Sequence, residues 1–370
     1  MNILHTESSC GWGGQEMRIL GEMAGMRARG HAVHLLCPPA AKIFSAAQAR
    51  GIPVTAMPIE KKRLRGVAAL RGWLRGHPCE VINTHSSTDS WLTALACATL
   101  ANAPPIVRTR HISAPVPANA ATRWLYTRAT ARVVTTGEAL KLQLTRDNGF
   151  PEDSIVSAPT GIDLNHFVPV ADAAARRAVR VRLGLPPDAY IVGIVATLRS
   201  WKGHRFLIEA MAGISDAKLL IVGDGPQRAA LEALIAEILP GGRAIMAGQQ
   251  ADVLPWLHTL DAFALPSYAN EGVPQAILQA FACALPVVTT GAGAIGEVAG
   301  HEDTALIVPM QDSHSLARAL ERLRADPELA RSLGVRALKR AHERHGEGAM
   351  LDAMEAVFRA TIAARHETGA

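Results

Sequence analysis

The sequence predicts an α/β protein made of two similar domains in tandem, each built on a parallel sheet. Its 370 residues exceed what one ordinary core accommodates, and 49% of them are hydrophobic. Short apolar runs alternate with helical patterns along most of the chain, which is typical of repeated strand–helix–strand units. A turn-rich segment with several prolines interrupts this alternation once, so we expect the two domains to meet near residue 165.

The first domain, residues 1–165, opens with the apolar run NILH, the glycine loop SSCGWGGQE and a helical pattern that ends at Gly30. The runs HAVHLLC, PVTAMPI, EVINTHS, PPIVRTRH and ARVVTTG then each predict a strand followed by a loop or helix. We expect a further helix, at about 346–370, to pack back on this domain.

The second domain, residues 166–345, restarts the alternation after a basic helix and a pair of prolines. Its strands are predicted at AYIVGIVATL, AKLLIVGDG, RAIMAGQ, AFALPS, LPVVTT and TALIVP. Ligands of parallel α/β sheets bind outside the carboxyl ends of the strands. Two facing domains of this kind would therefore enclose a ligand cleft between those ends.

Composition and charge restrict the function. The five cysteines contain no C-x-x-C pair, which argues against a zinc site or disulfide framework and favours a reducing, cytoplasmic compartment. We find neither a signal-peptide pattern nor an apolar run long enough to span a membrane. Residues 1–170 carry 18 Lys and Arg against 11 Asp and Glu, so an acidic partner is expected for this half, but not a nucleic acid.

The stretch SYANEGVPQAILQAF places one acid, Glu271, in a loop between a buried strand and a helix. Pro274 suits the first turn of that helix, which we expect to reach about Ala284. The free backbone N–H groups near Gly272 would form an anion site. A carboxylate fits beside such a site if it accepts hydrogen bonds from ligand hydroxyls, as in a sugar attached to a diphosphate. A simple helix cap is the alternative interpretation of Glu271.

Other strand ends offer cations and glycines. Arg199 and Lys202 follow the strand AYIVGIVATL and suit a diphosphate, although a solvated loop is the plainer interpretation. Gly13 and Gly14 form a loop whose backbone could approach a phosphate or an acceptor.

Two histidines, His85 and His111, end strands of the first domain. Either one alone is more often structural than functional. Because histidine hydrogen-bonds hydroxyls near neutral pH, two at strand ends of one domain indicate a functional site.

The run GAGAIG at 291–296 matches the dinucleotide-binding pattern G-x-G-x-x-G and follows a predicted strand. An oxidoreductase is therefore one alternative. Against it, the pattern closes a domain here, whereas it usually opens one.

Together these motifs resemble those of the retaining family 4, or group 1, glycosyltransferases of GT-B fold. The resemblance rests on GGQEMRILGEMAGMRARGHAVHLL, PTGIDLNHF, IVGDGPQRAALEAL, ALPSYANEGVPQAILQAFACALPVVTT and GAGAIGEV, in this order. It implies two facing Rossmann-like domains with an interdomain cleft, the first binding an acceptor and the second a nucleotide-sugar donor. GAGAIGEV lies where the family has its own glycine turn, which accounts for the dinucleotide-like pattern.

The resemblance also implies roles for matching positions. It makes Glu271 and His111 the residues at the reacting sugar. Because the sequence shows no acidic metal cluster, we expect no metal and no cofactor beyond the donor substrate. The donor-binding positions that the resemblance implies are Lys202, Gly272, Val273, Pro274, Gln279 and Gly14. We add Arg199 to them because its charge suits the diphosphate. We assign His85 and Gly13 to the acceptor.

Three positions depart from the family pattern. Gln279 stands where a second Glu usually holds the nucleotide ribose, so a charged hydrogen bond would become a neutral, weaker one. Thr197 stands where the family has its arginine, and Arg199 is displaced by two positions. Gly296 replaces a common proline.

The segment 61–76 carries six Lys and Arg, with Leu64, Val67, Leu70 and Leu74 at helical spacing. It predicts either a helix packed on the sheet or an amphipathic helix that contacts an anionic membrane. The second interpretation favours a glycolipid or lipopolysaccharide-core acceptor at the inner face of the cytoplasmic membrane. A nucleotide-sugar epimerase and a binding subunit without catalysis are the two further functions that the sequence leaves open.

Overall fold

The computed structural model describes residues 1–368, which form two compact units. Unit 1 comprises Met1–Thr160 together with the C-terminal segment from Gly348, and unit 2 comprises Gly161–Glu347. The chain therefore leaves unit 1 five residues before the boundary that the sequence suggested.

Unit 1 is built on a seven-stranded parallel sheet. Its strands are β1 (Asn2–Thr6), β2 (Ala32–Cys37), β3 (Val54–Ala56), β4 (Val81–Thr84), β5 (Ile106–Arg110), β6 (Arg132–Thr135) and β7 (Ile155–Ser157). They are ordered β3-β2-β1-β4-β5-β6-β7. The sequence predicted six of these strands and missed β7, whose three residues lie in a turn-rich segment.

Helices cover both faces of this sheet. They are α1 (Gly14–Ala28), α2 (Lys42–Ala49), α3 (Leu64–Gly76), α4 (Ser87–Cys97), α5 (Ala120–Trp124) and α6 (Glu138–Asn148), and a π-helical turn, Leu125–Ala129, continues α5. Because side chains alternate along a strand, neighbouring residues such as Ile3 and Leu4 enter two separate apolar cores.

The C-terminal helix of the described chain, α15 (Glu347–Thr368), packs into one of these cores. Leu351 and Phe358 are buried among residues of β1 and α1. Gly25 of α1 permits the close approach, since a Cβ there would lie 2.3 Å from the Leu351 side chain.

The apolar stripe of α3 faces the sheet. Leu70 and Leu74 belong to the second core, and Val67 packs against it. Leu64 is the exception, with 85% of its surface exposed. Of the two interpretations of this segment, the structure therefore shows a helix packed on the sheet. Its apolar stripe is not available to a membrane. Among the helices of residues 1–368, none is long and apolar enough to cross one.

Unit 2 contains a six-stranded parallel sheet. Its strands are β8 (Tyr190–Val195), β9 (Ala217–Val222), β10 (Ala244–Gly248), β11 (Ala262–Leu265), β12 (Val287–Thr289) and β13 (Leu306–Ile307). Their order is β10-β9-β8-β11-β12-β13, and all six fall where the sequence predicted them.

The helices of unit 2 are α7 (Ala173–Arg182), α8 (His204–Ala212), α9 (Arg228–Ile238), α10 (Leu254–Leu257), α11 (Gln275–Ala282), α12 (Ile295–Val298), α13 (Ser313–Ala325) and α14 (Pro327–Arg344). In both sheets the chain reverses its direction of travel once, between β1 and β4 in unit 1 and between β8 and β11 in unit 2. Loops diverge at such a switch point and leave a crevice, where α/β proteins bind ligands.

Candidate functional site

The switch point of unit 2 brings Lys202 and Glu271 together. Lys202 lies in the loop after β8, and Glu271 lies in the loop after β11. The Lys202 Nζ donates to both carboxylate oxygens of Glu271, at 2.7 and 2.9 Å. The Glu271 side chain is 4% exposed and that of Lys202 is 21% exposed, so the pair is largely shielded from water.

Backbone geometry explains why these two loops meet. Gly203 adopts φ +76°, and a Cβ on it would lie 2.0 Å from the Pro266 carbonyl oxygen. A glycine is therefore required for the loop after β8 to pass this close to the end of β11. Next to it, the Tyr268 N–H donates to the Trp201 carbonyl at 2.9 Å.

The Glu271 loop is also held from its other side. Asn270 adopts φ 56°, in the left-handed region that asparagine tolerates better than most residues. The Ala294 N–H donates to the Glu271 carbonyl at 3.3 Å. The glycine turn at 291–296 thus supports the acid, and α12 behind it has only four residues.

The start of α11 differs slightly from the prediction. The first helical residue is Gln275, and Pro274 precedes it with extended backbone, ψ 120°, instead of occupying the first turn. The helix ends at Ala282, two residues before the predicted end. Gly272 and Val273 are buried beside Glu271. The N–H groups of the first helical turn follow directly, and such groups carry the positive end of the helix dipole.

Two further residues that were predicted to bind the nucleotide-sugar donor differ in burial. Gln279 is 4% exposed on α11, and its Oε1 has no hydrogen-bond partner among residues 1–368. Arg199 is exposed, with its guanidinium over the Trp201 ring at 5.6 Å from the centroid. Within the described chain, Arg199 makes no salt bridge to Glu271.

The switch point of unit 1 carries a chain of three histidines. His5 Nδ1 lies 3.0 Å from His85 Nε2, and His85 Nδ1 lies 3.0 Å from His111 Nε2. They stand on β1 and directly after β4 and β5, which are neighbours in the sheet. Burial lowers the pKa of His5 to about 3, and burial followed by nearby positive charge lowers the pKa of His85 and His111 well below the ordinary value.

These rings are therefore neutral at pH 7, and each shared proton lies between two nitrogens. Because His111 Nε2 is engaged by His85, Nδ1 is its remaining ring nitrogen for contact with another group. Donation must run in one direction along a chain of neutral rings, so the tautomer of His111 is coupled to those of His85 and His5.

A network of acids anchors His85. Asp89 accepts from the backbone N–H groups of His85 and Ser86, each at 3.0 Å, in a capping box at the start of α4. Glu7 accepts from Ser86 Oγ at 2.5 Å and from the Gln15 side chain. Burial, reinforced by repulsion from Asp89, raises the pKa of Glu7 to about 8.

The predicted glycines border this network. Gly13 precedes α1 in extended backbone, and Gly14 is its exposed first residue, next to Gln15. Gly14 thus belongs to unit 1, whereas Lys202, Glu271, Gly272 and the other donor positions belong to unit 2.

A cavity of about 490 Å³ opens beside the histidines. Its polar lining includes Gln15, His85 and His111, and its aromatic lining includes Trp91 and Tyr126. Volumes of this size accommodate small-molecule ligands. The roles of Glu7, Gln15 and the cations of this cavity were not predicted from the sequence. The run RTRH, two arginines beside His111 at a strand end, carried the signal for part of that group.

Two family models match the chain. The model described as Glycosyltransferase Family 4 matches residues 12–166, and the model described as Glycosyl transferases group 1 matches residues 189–326. Together they cover most of the chain, one in each unit. The chain belongs to the family 4, or group 1, glycosyltransferases, as its motifs indicated.

Curated relatives are bacterial glycosyltransferases of several specificities. The chain is 33% identical over 164 residues to the lipopolysaccharide core biosynthesis glycosyltransferase LpsE of Rhizobium meliloti, covering 44% of this chain and 47% of that one. It is 28% identical over 232 residues to the D-inositol 3-phosphate glycosyltransferase of Jonesia denitrificans, covering 59% and 54%. The chain thus spans about half the length of these curated relatives.

Solved structures confirm the fold. Anabaena HepE, determined in complex with UDP and glucose, superimposes with a TM-score of 0.86 at 20% identity, covering 97% of this chain and 99% of that one. The two-domain α/β fold of the GT-B type predicted from the sequence is therefore correct.

Proposed function

We propose that this protein is a retaining glycosyltransferase that moves a sugar from a nucleoside-diphosphate sugar to an acceptor hydroxyl. The observation that carries the proposal is the shielded Lys202–Glu271 pair beside the start of α11. A cation and a helix N-terminus suit the diphosphate, and a carboxylate suits the hydroxyls of the attached sugar. Solved Anabaena HepE binds UDP-glucose, which supports a donor of this class.

During transfer, the bond between the anomeric carbon and the phosphate oxygen breaks, and the diphosphate leaves with the electron pair. The acceptor oxygen forms the new bond, and its proton passes to the departing diphosphate. Lys202 and the N–H groups at the start of α11 would stabilise the growing charge on the diphosphate, which is catalysis by preorganised charge. Phosphate oxygens and sugar hydroxyls would then take over the contacts that Lys202 and Glu271 make with each other.

The neutral His111 would hydrogen-bond the reacting sugar without adding charge. Because Lys202, Arg199 and the helix start already offer positive charge to the diphosphate, we propose that no divalent metal is needed. Full activity in EDTA is the expected result. Retention of the anomeric configuration is carried over from the resemblance to the family.

The proposed acceptor is a membrane glycolipid or a lipopolysaccharide core. The similarity to LpsE and LpsD of Rhizobium meliloti, two lipopolysaccharide core enzymes, supports this class. The apolar stripe of α3 is buried, so contact with a membrane would be electrostatic, through its exposed cations, such as Arg65 and Arg75. Failure to bind anionic liposomes at low salt would contradict this contact.

The test of the proposed function is nucleoside diphosphate release from a panel of UDP-hexoses, GDP-mannose and ADP-heptose, with and without a crude glycolipid extract. Release from one donor that depends on the extract would support a transferase and identify the donor. Release without any acceptor requirement would favour hydrolysis, and binding without release would favour a subunit that lacks catalysis.

A further inference from the structure

The cavity beside His85 and His111 gathers three cationic side chains, Lys62, Arg108 and Arg110. Arg108 and Arg110 come from the end of β5, and Lys62 comes from the loop before α3. The motifs of the family resemblance include none of the three. Their common location requires an explanation, because like charges repel each other and desolvation adds to the cost.

Arg108 is buried without a counter-charge in contact. It is 5% exposed, and its Nη1 has no hydrogen-bond partner in the described part of the chain. Its guanidinium stacks on the Tyr126 ring, 4.3 Å from the centroid. Among residues 1–368, no carboxylate forms a salt bridge with it. Asp89 acts on Arg108 from farther away, and its carboxylate already accepts four hydrogen bonds, from Thr6, Ser8, His85 and Ser86.

The other two cations are also without an acidic partner among the described residues. Arg110 donates to the Tyr126 hydroxyl at 3.1 Å and to the Ala114 carbonyl, and its Nε has no partner there. Lys62 Nζ lies 5.5 Å from the centroid of Trp91 and 3.5 Å from Ser87 Oγ.

The pKa values of Arg108 and Lys62 are both lowered, as expected for cations that lie close together without an acidic partner in contact. Burial lowers the pKa of Arg108, and Arg110 lowers it further, while Tyr126 and Asp89 act in the opposite direction. Burial also lowers the pKa of Lys62, and repulsion from Arg108 adds to that effect. An anion in the cavity would relieve both the repulsion and the missing hydrogen bonds.

We propose that Lys62, Arg108 and Arg110 form a subsite for a phosphate ester on the acceptor, beside the hydroxyl that receives the sugar. The term acceptor rests on the proposed function, but the anion site itself does not. Phosphate is favoured because it offers several oxygens to arginine donors and carries enough charge for more than one cation. A cavity of about 490 Å³ also has room for the sugar or polyol that carries the phosphate.

The subsite would make the enzyme selective against neutral acceptors. A neutral polyol would leave the desolvated Arg108 guanidinium without a partner, and sites with unmet buried donors discriminate strongly. These three residues would therefore determine specificity for the acceptor, while Lys202 and Glu271 serve the donor.

The test is calorimetric titration of the full-length protein with glycerol 3-phosphate, and with glycerol as the neutral control. Wild-type protein should bind glycerol 3-phosphate and not glycerol. Lys62→Gln and Arg108→Gln should each weaken binding about ten- to a hundredfold, which is the range for a lost charged hydrogen bond. Lys61→Gln removes a neighbouring exposed charge outside the cavity lining and should leave binding unchanged.

Equal effects of Lys61→Gln and Lys62→Gln would overturn the proposal, as would equal affinity for glycerol and its phosphate. Lys62→Gln changes an exposed residue, so it remains informative if Arg108→Gln does not fold. Lys202→Ala should leave the binding that depends on Lys62 in place, because the cavity is lined by residues of unit 1 alone. If Lys202→Ala abolishes binding while Lys62→Gln does not, the phosphate is bound at the donor site and the proposal is wrong.

A second titration, with short-chain phosphatidic acid, distinguishes a lipid phosphate from a free phosphate ester. Tighter binding of the lipid that depends on Lys62 would assign the phosphate to a lipid, and tighter binding of glycerol 3-phosphate would assign it to a soluble ester. Neither titration requires transfer of a sugar. The subsite can therefore be confirmed even if the proposed function fails, and the reverse also holds.

Discussion

Among single residues, Lys202 and Glu271 depend on each other, because they form an ion pair that is largely shielded from water. Lys202→Ala would leave the Glu271 carboxylate, 4% exposed, without its partner. We expect a loss of about 1–3 kcal/mol in the free energy of unfolding, because an unpaired buried charge keeps its full desolvation cost. Denaturant unfolding measures this loss.

The double variant Lys202→Ala with Glu271→Gln is the matched control. It also removes the Glu271 carboxylate, which is left unpaired in Lys202→Ala. The double variant should therefore recover part of the lost stability. Additive losses in the two single variants would contradict a coupled pair.

Gln279 tests whether an amide suffices at the second acid position. Gln279→Glu should tighten nucleotide binding about tenfold if this residue contacts the ribose, because a charged hydrogen bond is stronger than a neutral one. The same change should lower stability, since the side chain is 4% exposed. Gln279→Met keeps the volume, loses the hydrogen bonds and should bind nucleotide more weakly. Tighter binding by the methionine variant would contradict a ribose contact.

Glu7 makes the stability of unit 1 depend on pH. Its pKa is about 8 in the folded chain, so the folded state keeps a proton that the unfolded state releases above its ordinary pKa of 4.5. The contribution of Glu7 to stability is therefore fully present below about pH 4.5 and is lost as pH rises toward 8, by up to about 1.4 kcal/mol per pH unit for one proton.

Glu7→Gln should reduce this fall in a series of unfolding experiments between pH 5 and 8. It should not abolish the fall, because burial also raises the pKa of Glu22 to about 7 and of Asp89 to about 6. An unchanged slope in the variant would show that Glu7 is ionised in the folded protein.

At the scale of elements, the approach of the loop after β8 to the end of β11 depends on Gly203. Gly203→Ala would place a Cβ 2.0 Å from the Pro266 carbonyl oxygen in a backbone with φ +76°. We expect a loss of more than about 2 kcal/mol, together with weaker nucleotide binding, because Lys202 is the preceding residue. Thermal unfolding and a nucleotide titration measure the two effects.

Gly184→Ala is the control for this prediction. Gly184 has a similar φ of +70°, but a Cβ there meets nothing within 4 Å. Its loss should be about 1 kcal/mol, from the backbone conformation alone. Equal losses at Gly184 and Gly203 would show that the contact with Pro266 does not matter.

Elements also show where sequence reasoning succeeds. Buried parallel strands are nearly continuous apolar runs, so twelve of the thirteen strands in residues 1–368 were recognisable, whereas β7 offers only two apolar residues, Ile155 and Val156, between serines. The periodic stripe of α3 could not reveal whether it faces the sheet or a membrane, because both environments select the same pattern. Pro274 has the φ of −74° that a helical first turn needs, but its ψ of 120° places it just before the helix.

At the scale of the whole molecule, residues near each other in sequence were easier to find than residues that the fold assembles. Glu271 and Lys202 were recognised from their own loops, but their contact depends on the order of β8 and β11. Lys62 and Arg108 lie 46 positions apart in the sequence and come together because the loop before α3 and the end of β5 line one cavity. The histidine chain likewise depends on the pairing of β1 with β4, two strands that are not consecutive in sequence.

The central claim is that a sugar passes from a nucleotide to an acceptor, and transfer of a labelled sugar tests it most directly. The donor identified by the release panel, labelled in its sugar, is incubated with the glycolipid extract and either the wild-type protein or Lys202→Ala. We expect label in the glycolipid with the anomeric configuration of the donor, and little label with the variant. Label that appears only as free sugar, or as an epimerised nucleotide sugar, would contradict it.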